Sequence, residues 1–597
     1  MPSLCFLNFP PMTSPTKEPR HSAEEGATTS SISHDDKETR GLYRLEREPT
    51  REEKTAEALA EGHDADIPSS MGYVLDERGE EKRKQSLALA RTRSRKSMGR
   101  EDVEKGVGGT TEKDGDGGES SEDENIVWWD GPDDPANPYN WPSWLKVLNC
   151  SLISAMTFVT PLASSIFAPG VPDLMREFHN NSPYLAAFVV SVYVLGFAAG
   201  PLLCAPLSEI YGRTIVYHVC NLFFICFNVG AALAPTLNAL IVFRLFAGVF
   251  GSAPITNGAG SISDMIRQEK RGAAMAAFSI GPLLGPIIGP VAGGFLADAA
   301  GWRWVFWLIV IVSGVLSIVM LIFSRETYAP IILDRKVKRL QKETGNPLLR
   351  SKLDIGLSSA DYFKRGIIRP IKMIAFSPIT QIFGLYIAVV YGYLYLMFTS
   401  ITSVFMGTYG FSAGTSGLAF MGLGVGSMIG VVFFSLSSDK YVKRKAAEAD
   451  AAADEAGTVR EGMKPEYRLV ALPAGAVFLP AGLFIYGWTA EYHIHWFVPI
   501  LGTAIVGIGN LIIFMALQMY LVDAFTIYAA SALAANAVVR SVAGATLPLA
   551  GLKMNQNLGV GWASSILGFI AAAMLPVPLL IMKYGEYLRK RFELKDL

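Results

Sequence analysis

From about residue 146 to residue 582 the chain alternates long apolar runs with short polar links, and this rhythm constrains its fold more than any other feature. A bilayer core of ~30 Å is crossed by about twenty apolar residues in a helix. In hydrocarbon every backbone N–H and C=O must be bonded internally, so such runs read as helices. Twelve can be counted, at 147–169, 184–206, 215–235, 238–261, 272–297, 303–323, 376–400, 412–436, 469–488, 496–520, 527–550 and 560–582. Residues 1–125 are a different material, rich in Glu, Lys, Arg, Ser and Gly and poor in aromatics. They bury too little apolar surface to offset their conformational entropy and read as a disordered tail. The start, MPSLCFLNFPPM, lacks the basic residues and apolar length of a signal peptide.

Lys and Arg in the links orient the bundle. The link after the sixth run, 324–375, carries twelve of them, including Arg335, Lys336, Lys338 and Arg339. Lys440, Lys443, Arg444 and Lys445 follow the eighth run, and Arg267, Lys270 and Arg271 follow the fourth. The odd-numbered links are nearly bare, so the even links and both termini are expected in the cytoplasm. The expected organisation is a tail (1–125), a pre-membrane segment (126–145), six helices (146–323), a central loop (324–375), six more (376–582) and a short tail (583–597). The two sixes resemble each other: Gly200 precedes Glu209 as Gly430 precedes Asp439, with Tyr211 and Tyr441 two residues further on. Parallel six-helix repeats point to a transporter.

Other classes fit less well. A metal-dependent membrane enzyme needs His, Asp or Glu at ligand spacing. Of the seven histidines only His493 and His495 are close, at the edge of a run. No cofactor, metal or catalytic residue is expected. The five cysteines, Cys5, Cys150, Cys204, Cys220 and Cys226, suggest neither a metal site nor a disulfide framework. A formal net charge of −1 gives no sign of a nucleic-acid partner. RTRSRKSMGR (91–100) reads as a solvated charge run, a phosphorylation site around Ser94 or Ser97, or a contact with anionic lipid. A membrane sensor would need a folded cytoplasmic domain, which 1–125 does not offer. Asn180-Asn181-Ser182 matches a glycosylation sequon, although Pro183 disfavours its use.

One run is unusual: GAAMAAFSIGPLLGPIIGPVAGG, 272–294. Proline in a helix costs ~3 kcal/mol in water and glycine about 1. Gly281, Gly285, Gly289 and Gly293 step by four and share one face. Small residues there let a second helix approach closely, and a bilayer protein can re-satisfy the bonds that proline breaks. The fuller spacing runs through Gly272, Gly281, Gly285, Pro286 and Gly289.

That spacing resembles the antiporter motif of the major facilitator superfamily, in its twelve-span drug:proton antiporter group. GPLLCAPLSEIYGR (200–213) is similar to the family's loop 2–3 motif, and RLFAGVFGS (244–252) to its fourth-span motif. NPYNWPSWLK (137–146), RETYAPIILDRKVKRLQKETGNP (325–347) and YLVDAFTIYAASALAANAVVR (520–540) resemble a fungal branch of polyamine and multidrug exporters. The implied fold is an all-α membrane protein of twelve transmembrane helices in two halves. By resemblance, Arg244 takes part in proton coupling, Glu209 and Arg213 latch the halves, and the glycines and prolines of the fifth run shape the seal between them. The bare chemistry also allows a structural ion pair or a snorkelling side chain for Arg244, and helix capping for Glu209 and Arg213. No Asp or Glu lies in the middle of a run, which leaves Asp264 or Glu209 as proton carriers and facilitated diffusion open.

Spans 1, 4, 7 and 10 line the cavity in this architecture. They offer Asn149, Thr157 and Ser165; Tyr386, Tyr391, Tyr393, Tyr395 and Phe398; and Asn510, Phe514, Gln518 and Tyr520. An aromatic lining with few polar points suits bulky apolar or cationic molecules. Arg540 is the only charge within span 11 and, with the halves aligned on Asp264 and Asp523, corresponds to Gly281. It could attract an anionic substrate or pair with a carboxylate. The expected protein exports small molecules such as drugs, toxins or secondary metabolites by proton antiport, as a plasma-membrane monomer. Its expected partners are substrate, protons and lipid. Alternatives are a polyamine or organic-acid exporter, a vacuolar transporter, or a facilitator.

Overall fold

The computed structural model describes residues 125–354, 358–455, 464–525 and 528–591. The tail expected to be disordered therefore lies, but for Asn125, outside the described residues. Six helices come first: α1 (Ser143–Ser165), α2 (Pro183–Tyr211), α3 (Arg213–Ala232), α4 (Leu237–Met265), α5 (Gln268–Ala300) and α6 (Arg303–Phe323). Then follow α7 (Pro378–Tyr409), α8 (Phe420–Glu455), α9 (Leu472–Glu491) and α10 (Phe497–Phe525). Local chemistry sets several starts. Ser182, Thr236 and Ser377 precede α2, α4 and α7, and each hydroxyl accepts a bond from a first-turn backbone N–H.

The last apolar stretch, Ala529–Arg589, is 61 residues long. As one straight helix it would reach about 90 Å, three times the bilayer core. The backbone leaves helical geometry at Gly559 (φ 78°, ψ 162°), a conformation that glycine adopts without strain. The chain therefore turns back, giving α11 (529–558) and α12 (560–591) and completing twelve crossings. A second such turn, at Gly212 (φ 99°), separates α2 from α3 with no intervening loop.

Burial ranks the helices. The apolar windows of α1 and α7 are 72% buried and that of α6 is 28%. So α1 and α7 lie inside the bundle, and α6 turns most of its surface outward. Within the first six, α1 packs on α5, α2 on α4, and α3 on α4 and α6; within the second, α7 packs on α11, and α10 on α8 and α9. The main contacts between the sixes are α2 with α11, and α5 with α8 and the short helix Ala413–Leu418 before it. Ser191 on α2 donates to the Ala545 carbonyl of α11 at 2.8 Å.

We call the end where α1 begins the linker end and the opposite one the far end. The central segment is more than a loop. It forms helices Ala329–Thr344 and Ser359–Phe376, and its Arg350–Ser351 strand pairs in parallel with Ile126–Val127. Trp129, Ala329, Leu333 and Leu353 form a small buried cluster beneath them. Lys336 joins Asp130 at 2.6 Å. The Ser359–Phe376 helix reaches both sixes: Gly366 sits against Pro206 of α2, and Met373 packs with Ala532 and Ala535 of α11. Its apolar residues follow helical spacing and form no membrane-length run. Likewise α8 runs well past the expected end at 436. Residues 440–455 are Ala, Lys and Glu-rich helix formers, with Arg444 and Glu448 paired at i,i+4.

Candidate transport site

The interior carries an aromatic column from α7. Tyr386, Tyr393, Tyr395 and Phe398 are fully buried. Their duties differ. Tyr393 donates to the Leu567 carbonyl of α12 at 2.9 Å and so ties α7 to its own six. Tyr395 shares a hydrogen bond of 3.1 Å with Ser164 of α1, across the sixes. Its ring lies 5.1 Å from that of Tyr391, which is only half-buried. Among the polar residues expected in the cavity, Asn149 donates to Leu145 of its own helix at 2.8 Å, and Asn510 donates to the Val390 carbonyl at 2.9 Å. Gln518 accepts from Asn536 of α11 at 3.2 Å.

Two arginines stand at membrane depth. Arg244 is 1% exposed, about 10 Å from the far end of α4 at 1.5 Å per residue. Its Nη2 donates to the Ser164 and Val190 carbonyls at 3.3 and 3.4 Å. Phe167, Tyr193 and Phe306 surround the guanidinium at 5.1, 5.3 and 5.7 Å. A carbonyl shell plus π faces is how a cation is held where no carboxylate is available. Arg540 lies mid-way along α11, with Tyr391 at 5.0 Å and Phe514 at 5.3 Å. Its Nε is buried without a hydrogen-bond partner among the described residues.

The linker-end corner of α2, α3 and α4 holds the other expected charges. Arg213 donates to Ser208 at 2.6 Å and to Asn257 at 3.5 Å, pairs with buried Asp264 at 3.6 Å, and lies over the Tyr328 ring. Glu209 is half-buried nearby. Glu326, from the segment after α6, accepts from the backbone N–H of Arg213 and of Thr214, which caps α3. The partners of Arg213 thus all belong to the first six or the chain directly after it. In the second six, Asp523 pairs with Arg468 at 2.9 Å.

On α5 the glycine face meets α1. A Cβ at Gly281 would stand 3.0 Å from the Ser154 carbonyl oxygen, at Gly285 2.8 Å from the Leu162 nitrogen, and at Gly289 3.1 Å from the Ile166 nitrogen. The step of four on α5 thus matches one on α1. Gly272 lies in the first turns of α5, and Pro286 follows Gly285 within the helix. The seam with the other six uses a different face. Pro290 approaches Gly417, Ile287 approaches Gly424, and Asp298 accepts from Ser412 at 2.8 Å and from the Gly414 N–H at 2.6 Å. Sequence reasoning gave no role to Asp298, which it placed only as an acid near the end of a run, and did not single out Asn536 or Ser164. Asn536 alone carried a usable signal, four residues before Arg540 on the same helical face.

Residues 153–548 match the sequence profile of the Major Facilitator Superfamily. The chain belongs to this family of membrane transporters. It is 54% identical over 469 residues to the MFS-type transporter tndD of Aspergillus flavipes, covering 79% of this chain and 86% of that one. It is 49% identical to the efflux pump radE of Floropilus chiversii, covering 80% and 87%. Among solved structures, the xylose transporter XylE of E. coli, in a partially occluded inward-open conformation, superposes with a TM-score of 0.54. That match has 15% identity, covers 74% of this chain and 98% of that one, and speaks to the fold alone.

Proposed function

We propose that this transporter exports a small, largely apolar molecule by exchange for protons, as a plasma-membrane monomer with both termini cytoplasmic. The observation that carries the reading is the central aromatic array, where Arg244, Ser164, Tyr395, Tyr391 and Arg540 follow one another across the two sixes. A cargo resting among these rings would be felt on α1, α4, α7 and α11 together, which coupling to a change of access requires. The efflux-pump name of one relative and the basic linker end support the outward direction and the orientation. Asp264 serves as the proton carrier in this reading, its charge traded against Arg213. The glycine face of α5 keeps α1 and α5 moving as one body, so that the seal on the opposite face of α5 opens and closes as a unit.

Expression in a yeast stripped of its drug pumps tests the reading. Cells loaded with fluorescent acids, neutral dyes and cations are followed for efflux with and without a protonophore, with the tagged protein imaged at the cell surface. Efflux that collapses with the proton gradient is the expected result. Efflux indifferent to the protonophore overturns the antiport mechanism, and signal confined to the vacuole overturns the location.

A further inference from the structure

We propose that Arg540 is the anchor for a single negative charge on the cargo, so that the transported molecule is an amphipathic monoanion: an apolar body bearing one carboxylate or one acidic phenol or enol. This rests on the exporter reading and adds the chemical class of its substrate.

The depth of Arg540 comes first. It stands eleven residues into α11, about 16 Å from the linker end and so near the middle of a ~30 Å bilayer core. A guanidinium there is costly, faces the bundle interior, and needs a partner. Other arginines of the bundle have carboxylates: Arg213 with Asp264, Arg303 with Glu177, Arg468 with Asp523, Arg589 with Glu466. Arg540 has neither an ion pair nor a hydrogen bond among the described residues, and its Nε is orphaned. Arg244 also lacks a carboxylate and its Nε also has no partner, but it is 1% exposed, lies among three rings, and its Nη2 donates to two carbonyls. Arg540 is only half-buried, is steadied by two rings, and keeps its donors available. One turn before it, fully buried Asn536 donates to Gln518 while its own Oδ1 has no partner. A vacant charged donor and a vacant acceptor therefore share one face of α11.

The same geometry argues against the cationic cargo that aromatic residues alone suggested. The π faces of Tyr391 and Phe514, which would hold a cation, are already occupied by the guanidinium of Arg540, which would repel one. A lone guanidinium also suits one charge better than two, whereas a phosphate or dicarboxylate calls for paired basic groups. The rings of Tyr391 and Tyr395, 5.1 Å apart and tilted by 51°, extend the site with apolar surface for the rest of the molecule.

Three probes of closely matched shape test this: 1-pyrenebutyrate, 1-pyrenebutanol and 1-pyrenebutylamine, titrated against the full-length protein in nanodiscs, with empty nanodiscs subtracted. The acid is expected to bind about tenfold tighter than the alcohol, as one charge-assisted contact allows, and the amine weakest. Arg540→Gln should erase the difference between acid and alcohol while leaving alcohol binding in place, and Arg540→Lys should restore part of it. Equal affinities for acid and alcohol, a preference for the amine, no saturable binding of the acid, or an acid preference that survives Arg540→Gln each overturns the proposal. Should Arg540→Gln fail to fold, the order of the three probes on the unmodified protein and the Arg540→Lys variant still decide it. The binding preference needs no gradient and no transport. Its loss strikes the anion site alone, while absent efflux with the preference intact strikes the exporter reading alone.

Discussion

At the scale of single residues, the two membrane-depth arginines divide the labour, and the bonds of Arg244 show why its removal is informative. The Val190 carbonyl that it contacts lies inside α2 and keeps its ladder partner without it, whereas the Ser164 carbonyl lies in the last turn of α1, beyond the reach of the helix's own donors. Arg244→Met therefore gives up the bond to one acceptor, Ser164, but fills much of the space and removes a buried charge that lacks a carboxylate. Replacing such charges by apolar groups is often neutral or stabilising. Efflux is expected to fall at least tenfold, on the order of 1.4 kcal/mol or more, while the melting temperature of the purified protein changes little, the bond lost at Ser164 offsetting the buried charge removed. Arg244→Ala should likewise abolish efflux with the protein still at the cell surface. Normal efflux in either variant would remove Arg244 from the mechanism. The positions of Arg244 and Arg540 were legible, because a charge inside an apolar run is conspicuous. Their partners were not. Carbonyls and aromatic faces come from helices far apart in the chain, and no spacing encodes them. Nor could the two outcomes left open for Arg540, a protein carboxylate or a ligand, be separated without knowing what lies beside it.

At the scale of elements, the repeat of glycine on α5 was plain, yet a period of four says that a helix will be approached closely and not which neighbour approaches. The neighbour is α1, and the closeness is quantitative. A side chain at Gly285 would meet main-chain atoms of α1, the Leu162 nitrogen and the Phe158 carbonyl oxygen at 2.8 and 2.9 Å, and main chain cannot swing aside. Gly285→Val is expected to destabilise by ~1–3 kcal/mol through overpacking and to lower the melting temperature measurably. Gly314 on α6 is the matched control, since a Cβ there meets nothing within 4 Å. Gly314→Ala should leave the melting temperature unchanged or raise it, alanine being favoured over glycine in a helix by about 1 kcal/mol. If the two variants melt alike, close packing of α5 on α1 is not what the glycines serve. The central segment is the converse case. Its amphipathic helix spaces its apolar residues along one face and forms no membrane-length run, and its use as a brace across α2 and α11 depends on a fold that only the whole chain supplies.

At the scale of the whole molecule, twelve crossings and their pairing into sixes could be read from runs, links and internal likeness, because bilayer thickness fixes helix length so tightly. The ties between the sixes could not be. At the far end Asp298 of α5 sits over the start of the Ala413–Leu418 helix, accepting from Ser412 and from the Gly414 N–H. A carboxylate in that place is favoured by the helix dipole as well as by both bonds. It ties the two sixes at the far end, whereas Arg213, in the corner expected to latch the halves, bonds at the linker end to residues of the first six and of the segment directly after it. Alternating access then predicts an asymmetry. Asp298→Asn keeps the shape, removes the charge and should shift the population toward forms parted at the far end. Spin labels at Leu233 and Tyr492, both exposed after α3 and α9 on opposite sixes, report that separation in a cysteine-substituted background. The distance distribution should gain a longer component in Asp298→Asn. The acid probe that engages Arg540 should redistribute it further, because a ligand moves such an equilibrium only by binding the two forms unequally. A distribution indifferent to Asp298→Asn would assign the closure of the far end to apolar packing along α5 and α8 instead.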